Sequence, residues 1–264
     1  MQSIKALKGL FFSEQLVSEQ SADWIIECYR WALTHFDNKE FYTRTQLVQP
    51  TNQFFPGEVS SIEEKAENIF QHSLKYSGLS HWPLRLMHPH NASDIEPPKL
   101  ALNQIERNCA VQLPVIMNDQ TIVLSYNKQQ TLKPEDLSSH FAHMFAQHML
   151  LQSQQTPPGG MDYAVEASEV LAVFMGFGVM MANSAYTFRG GCGSCYNAAA
   201  NRQAALTENE VLFALAVFCR IKQIDIKAAS KGLKKHLKAP FNVAARQVNS
   251  LFKTDDNLLA IVCA

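Results

Sequence analysis

The sequence of 264 residues lacks an excess of charge of either sign. Lys and Arg total 23 against 24 Asp and Glu, for a formal net charge of -1, and charged residues make up only 18% of the chain. Proteins that bind nucleic acid or an anionic membrane through charge carry a basic patch or run. The balance therefore predicts no nucleic-acid partner and no membrane partner, and it leaves a peptide or protein partner open.

The sequence also lacks an uninterrupted apolar run of the roughly 20 residues that a membrane-spanning helix needs. The most apolar stretch, residues 170–181, ends before Asn183 and predicts a buried core helix. The N-terminal sequence MQSIKALKGLFF has no small-residue cleavage site, so it predicts no signal peptide. The six cysteines are scattered, and four of them lie inside apolar patterns, which indicates a reduced, cytoplasmic protein.

The predicted elements are helical, then β-rich, then helical again. Apolar positions at helical spacing predict a helix over residues 13–36, followed by an extended piece at 44–48. Ser60 and Glu63 form a capping-box pattern that opens a second helix, which ends near Gly78. Residues 84–87, 110–117 and 121–126 predict strands, the last two as a hairpin. Helices are predicted at about 134–152, 162–183, 207–222, 226–237 and 240–252.

This order predicts a single α+β domain over residues 1–264, with a small mixed sheet packed on helices. It comprises an N-terminal helix in residues 1–40, a β-containing part at 41–130 and a helical part at 131–264. Gly176 and Gly178 lie inside an apolar helix with no preceding strand, so they predict close helix packing with a kink rather than a phosphate-binding loop.

Three histidines share the predicted helix at 134–152. At about 100° per residue, His148 falls on the stripe of Leu137, Phe141 and Phe145, while His143 and Gln147 fall almost opposite. A catalytic zinc helix needs two histidines one turn apart and a glutamate beside the first, which acts as general base. Counted from His143, those positions hold Met144 and Gln147, so the spacing persists without two of the three chemical groups.

The chain resembles bacterial zincin-like metallopeptidase-type proteins, in which a helix of the H-E-x-x-H type precedes one reading acidic-L-L-A-V-F-x-G-F-G. Three blocks carry the resemblance: LVQPTNQFFP at 47–56, AHMFAQH at 142–148 and EVLAVFMGFG at 169–178, continuing through ANSA at 182–185. The resemblance implies a zincin-like fold. It also implies that His143 and Glu169 are surviving ligand positions, that Gln147 replaces a ligand and that Met144 replaces the general base.

Three functional hypotheses follow. The first is a pseudoenzyme, a metallopeptidase-like protein that acts through binding or structure, with no cofactor, in which His143 and Glu169 form a metal-free polar pair. The alternative is an active zinc-dependent hydrolase with shifted ligands, His140 and His143 with Glu166 or Glu169. The third is thiol redox chemistry or metal sensing at Cys192 and Cys195, a single C-x-x-C in a Gly-rich turn.

Overall fold

The structure, a computed structural model, describes residues 15–87, 98, 100, 106–109, 121–185 and 204–254. Its elements in chain order are α1 (Glu19–His35), α2 (Asn38–Thr43), α3 (Ile62–Ser77), β1 (Leu84–Met87), β2 (Ile122–Ser125), α4 (Pro134–Ser153), α5 (Ala164–Ala172), α6 (Gly178–Ser184), α7 (Glu208–Ile221), α8 (Ile226–Ala229) and α9 (Lys235–Thr254). A five-residue π-helix, Val173–Phe177, joins α5 to α6.

The chain is mostly helical with a small sheet, which confirms the α+β class. β1 and β2 pair in parallel, with Leu84 opposite Ile122 and Met87 opposite Ser125. Both strands lie where the sequence predicts them. The other strand of the predicted hairpin, residues 110–117, lies outside the described residues, so the prediction of a mixed sheet stays a prediction.

Side-chain caps set where the first long helices begin. α1 begins at Glu19 rather than near residue 13, because the Ser18 hydroxyl accepts a hydrogen bond from the backbone N–H of Ser21. The cap predicted at Ser60 and Glu63 lies one residue later, since Ser61 accepts from the N–H of Glu64. Gly78 ends α3 in the left-handed conformation, as the sequence predicts.

The helix predicted at 162–183 is interrupted in its middle. Gly176 has a φ of 101°, and the π-helix around it confirms the predicted kink. Counted across this kink, the helical segment Met161–Ser184 has 24 residues and is long and apolar enough to cross a membrane by length and composition, which residues 170–181 alone are not. Because 83% of its apolar window is buried by the rest of the protein, it is placed as the core helix of a soluble domain would be.

The last two predicted helices have different bounds. The prediction of a break between residues 237 and 240 is wrong, because α9 runs unbroken through Pro240. The break falls earlier, where a short 3₁₀ helix, Ser230–Gly232, follows α8. A side chain added at Gly232 would lie 2.8 Å from Cδ of the Pro50 ring, so the close approach of these two segments favours glycine there.

One aromatic cluster lies where the N-terminal and C-terminal halves meet. Phe41 of α2 stacks on Phe174 of the π-helix, with ring centroids 4.3 Å apart, and meets Phe218 of α7 edge to face at 5.6 Å. All three rings are fully buried. Aromatic contacts of this kind add about 0.5–1.5 kcal/mol each beyond the area that they bury. The sequence did not predict the short helix α2 that presents Phe41.

Candidate functional site

Helix α4 is buried on two sides, so its histidines contact other helices of the protein as well as solvent. Phe141 and Phe145 pack against Phe70 of α3, with ring centroids 5.4 Å and 5.8 Å apart, and α5 packs on another side of α4. Leu137 is also fully buried, as predicted for this stripe. The side that the sequence marks as polar therefore faces another helix at His143 rather than water.

His143 is held by a serine of the neighbouring helix. Its side chain is 8% exposed, and its Nε2 lies 2.8 Å from the hydroxyl oxygen of Ser168 in α5. That hydroxyl donates its one proton to the carbonyl oxygen of Val165 at 2.7 Å. The imidazole Nε2 therefore carries the hydrogen and donates to Ser168, so this nitrogen offers no lone pair to a metal ion.

Glu169 has a structural role that the sequence did not predict. Its side chain is fully buried, and its two carboxylate oxygens accept hydrogen bonds from the backbone N–H groups of Ala205 and Leu206, both at 3.0 Å. These residues immediately precede Thr207, the N-cap of α7. Glu169 thus fastens α5 to the start of α7.

The other predicted site residues lie in different surroundings. Gln147 is exposed, Glu166 is half-buried, and Met144 is partly buried against the hydrophobic core. His140 is also half-buried, and its Nε2 lies 3.2 Å from the carbonyl oxygen of Ser125 at the end of β2, so that nitrogen donates. The hydrogen bonds that engage His140, His143 and Glu169 thus lead to β2, α5 and the start of α7.

The metal-ligand sets that the sequence suggests can be tested against this arrangement. Within the described part of the chain, no group of three or more His, Cys, Asp or Glu side chains could hold a metal ion. A catalytic zinc normally has three protein ligands, each offering a lone pair. The structure therefore does not bring His140, His143, Glu166 and Glu169 together as one such group. In the set of His143, Gln147 and Glu169, the exposed Gln147 offers only a neutral amide, which is a poor zinc ligand. Cys192 and Cys195 lie outside the described residues.

His148 lies on the stripe that the sequence predicts, but it is not a ligand in a polar site. Its Nδ1 is enclosed and has no hydrogen-bond partner among the described residues. Burial lowers the pKa of His148 to about 4, so the imidazole is neutral at physiological pH. It packs as an apolar ring.

Ser168 is the site residue that sequence reasoning missed. It occupies the helix position next to Glu169, about 100° away around the axis, and it is this serine that meets His143. The sequence signal is the one hydroxyl residue of α5, the helix that follows the one with His143, and its full burial is visible only in the structure.

Comparison of the chain with known proteins finds no relative. No family model, no curated protein and no solved structure matches the chain.

Proposed function

We propose that the chain is a catalytically inactive, zincin-like relative of zinc metallopeptidases that acts by binding or as a structural component. The proposal rests on the hydrogen bonds of His143 and Glu169, the two residues at the surviving ligand positions. His143 donates to Ser168, and Glu169 accepts from two backbone N–H groups. Both side chains serve the packing of helices instead of converging on one ion.

The missing chemistry supports the same conclusion. Hydrolysis by a zinc peptidase needs a metal-bound water and a group that takes a proton from it. The general-base position holds Met144, whose thioether is only a weak hydrogen-bond acceptor and takes no proton. The second-histidine position holds Gln147, whose neutral, exposed amide is a poor zinc ligand. The site therefore lacks a group that could activate water for hydrolysis.

Metal analysis of the purified chain tests the proposal. The protein is loaded with excess Zn²⁺ and dialysed against buffer without chelator. The zinc bound per chain is then measured by mass spectrometry, and peptidase activity is measured as cleavage of an unstructured protein substrate. We expect no stoichiometric zinc and no cleavage. One tightly held zinc per chain would overturn the proposal in favour of the alternative, an active hydrolase that uses His140, His143, Glu166 and Glu169.

A double-mutant cycle of His143 and Ser168 tests whether His143 has a structural role or is a metal ligand. His143→Ala, Ser168→Ala and the double variant are compared by urea unfolding and by zinc content. If the hydrogen bond has a structural role, the cycle gives a coupling of about 1 kcal/mol and zinc content stays unchanged. If His143 is a ligand, His143→Ala lowers zinc content and Ser168→Ala does not.

A further inference from the structure

A cleft of about 340 Å³ opens beside the start of α4, between the loop at 50–59, α3 and α6. A volume of this size lies at the lower end of the range that small-molecule sites occupy. The side chains of Ile69 and Met180, which are only 5% and 1% exposed, contribute apolar surface to it. Glu135 lines the cleft from the first turn of α4 and lies about 12 Å along that helix from His143, so the cleft is separate from the candidate site.

The loop at 50–59, which forms one wall of the cleft, is held in place by side chains of α3. Nδ2 of Asn68 donates to the carbonyl oxygen of Pro56 at 3.0 Å. The ring of Phe55 meets that of Tyr76 edge to face, with centroids 6.3 Å apart. The wall is therefore formed before any ligand arrives, which limits the conformational entropy that binding would cost.

The cleft combines apolar surface with a small number of polar groups. Val59 and Pro134, both exposed, extend the apolar surface to the mouth of the cleft. Among the described residues that line it, two carry a charge, Lys65 and Glu135. Ligand sites commonly have this composition, in which apolar walls contact the body of the ligand and a few polar groups orient it.

The carboxylate of Glu135 is held through one oxygen and leaves the other for a ligand. Oε2 accepts from Nδ2 of Asn183 at 2.6 Å, and Asn183 is itself fixed by the carbonyl oxygen of Gly232 and the backbone N–H of Lys234. Oε1 has no hydrogen-bond partner in the described part of the chain and is not enclosed. Since Glu135 is half-buried and lines the cleft, this oxygen is an oriented, accessible acceptor.

The second charge of the cleft, the half-buried Lys65, is also without an ion pair among the described residues. Its Nζ and the carboxylate of Glu135 therefore line one cleft without forming a salt bridge with each other. The neighbouring glutamates of α3 are engaged elsewhere, with Lys128, Ser60 and Gln71. One positive and one negative charge are thus available to a ligand.

We propose that this cleft binds a free amino acid with an apolar side chain. The ligand's ammonium group donates to Oε1 of Glu135, its carboxylate accepts from Nζ of Lys65, and its side chain packs against Ile69 and Met180. A ligand with one charge of each sign complements this pair, whereas a ligand with a single charge leaves Glu135 or Lys65 unpaired. Binding here does not depend on the α4 histidines or on the proposed loss of zinc chemistry.

Isothermal titration calorimetry of the full chain tests the proposal. The protein is titrated with L-leucine, L-methionine and L-phenylalanine, and we expect saturable binding of at least one. Three analogues of leucine then each lack one group: 4-methylpentanoate lacks the ammonium, L-leucinamide lacks the carboxylate, and glycine lacks the side chain. Each analogue should bind about tenfold or more weakly than leucine, because each loses a charged hydrogen bond or the apolar contact.

Two substitutions locate the binding site. Glu135→Gln and Lys65→Met should each weaken binding of the amino acid by about tenfold or more. The matched controls are Glu67→Gln and Lys75→Met, which remove the same charges at exposed positions of α3 outside the cleft and should leave binding unchanged. The analogue series needs no substitution, so it tests the proposal even if a variant does not fold.

Three outcomes would overturn the proposal. The first is the absence of saturable binding with all three amino acids. The second is equal affinity for leucine and leucinamide, which would point to the amino terminus of a peptide instead of a free amino acid. The third is undiminished binding in folded Glu135→Gln and Lys65→Met, which would place the ligand elsewhere on the protein.

Discussion

The backbone N–H of Val48 donates to the carbonyl oxygen of Gly176 at 2.9 Å. This bond ties the extended segment after α2 to the π-helix in the middle of the most buried helical stretch. The same approach brings the carbonyl oxygen of Gln46 to within 2.0 Å of the place where a Gly176 side chain would begin. Only glycine allows this contact, both because of the space and because of its φ of 101°.

Gly176→Ala is therefore expected to destabilise the protein by about 2–5 kcal/mol, the sum of left-handed strain and forced repacking. The measurement is the midpoint of urea unfolding. Gly160→Ala is the matched control, because Gly160 has a φ of 92° but nothing lies within 4 Å of an added Cβ. Equal losses in the two variants would show that backbone strain alone, and not the contact with Gln46, makes glycine necessary at 176.

The kink at Gly176 could be predicted from the sequence, but the segment that packs into it could not. A glycine inside an apolar helix indicates a close approach without naming the partner, and here the partner at 46–48 is far away along the chain. The long helices were predictable because apolar spacing and caps are local signals. Helix α2 was missed because it has only six residues, too few for a periodic pattern, and because its N-cap, Asp37, is in the left-handed conformation.

Glu169→Gln is expected to lower the free energy of unfolding by about 1–3 kcal/mol, because the variant keeps one acceptor oxygen for two backbone donors. Amide hydrogen exchange should also speed up at Ala205 and Leu206, since one of these N–H groups loses its partner. Glu166→Gln on the same helix is the control and should change neither quantity by much. Unchanged exchange at Ala205 and Leu206 in Glu169→Gln would contradict the structural role of the carboxylate.

The candidate site was only partly predictable from motif spacing. The spacing correctly places His143 and Gln147 on one helix. The role that the resemblance implies for Met144, replacement of a general base, stays a prediction. The spacing does not fix how α5 is rotated about its own axis, and a rotation of about 100° exchanges Glu169 for Ser168 as the residue that meets His143. That rotation depends on packing against α1 and α7, which involves residues far apart in the sequence.

Native-state alkylation is expected to spare Cys28 and Cys219. Both are buried, and burial raises the pKa of the Cys219 thiol to about 12 and raises that of Cys28 well above its usual range, so neither forms the reactive thiolate near pH 8. Cys109 is only half-buried and serves as the internal control, which should react in the folded protein. Mass mapping after iodoacetamide treatment, with and without urea, measures this. Labelling of native Cys219 as fast as Cys109 would contradict its burial.

His148 is expected to make the protein less stable in acid. Its pKa is 6.5 as a free group and about 4 when buried, so the unfolded chain binds a proton in this interval that the folded chain does not. Stability therefore rises with pH across the interval, and the loss begins as pH falls below about 6.5 and is complete below about 4. Between about pH 7 and about pH 4.5, this single residue should remove about 2 kcal/mol.

His148→Leu tests this effect, because leucine keeps an apolar side chain in the same place and removes the titration. Urea unfolding at both pH values should show a smaller loss in the variant than in the wild-type protein, by about 2 kcal/mol. Comparison of the two proteins cancels the contribution of His81, whose pKa burial also lowers. The control variant is His35→Leu, which makes the same substitution at an exposed position. An identical loss in His148→Leu and the wild-type protein would mean that His148 takes up its proton as readily in the folded state as in the unfolded chain.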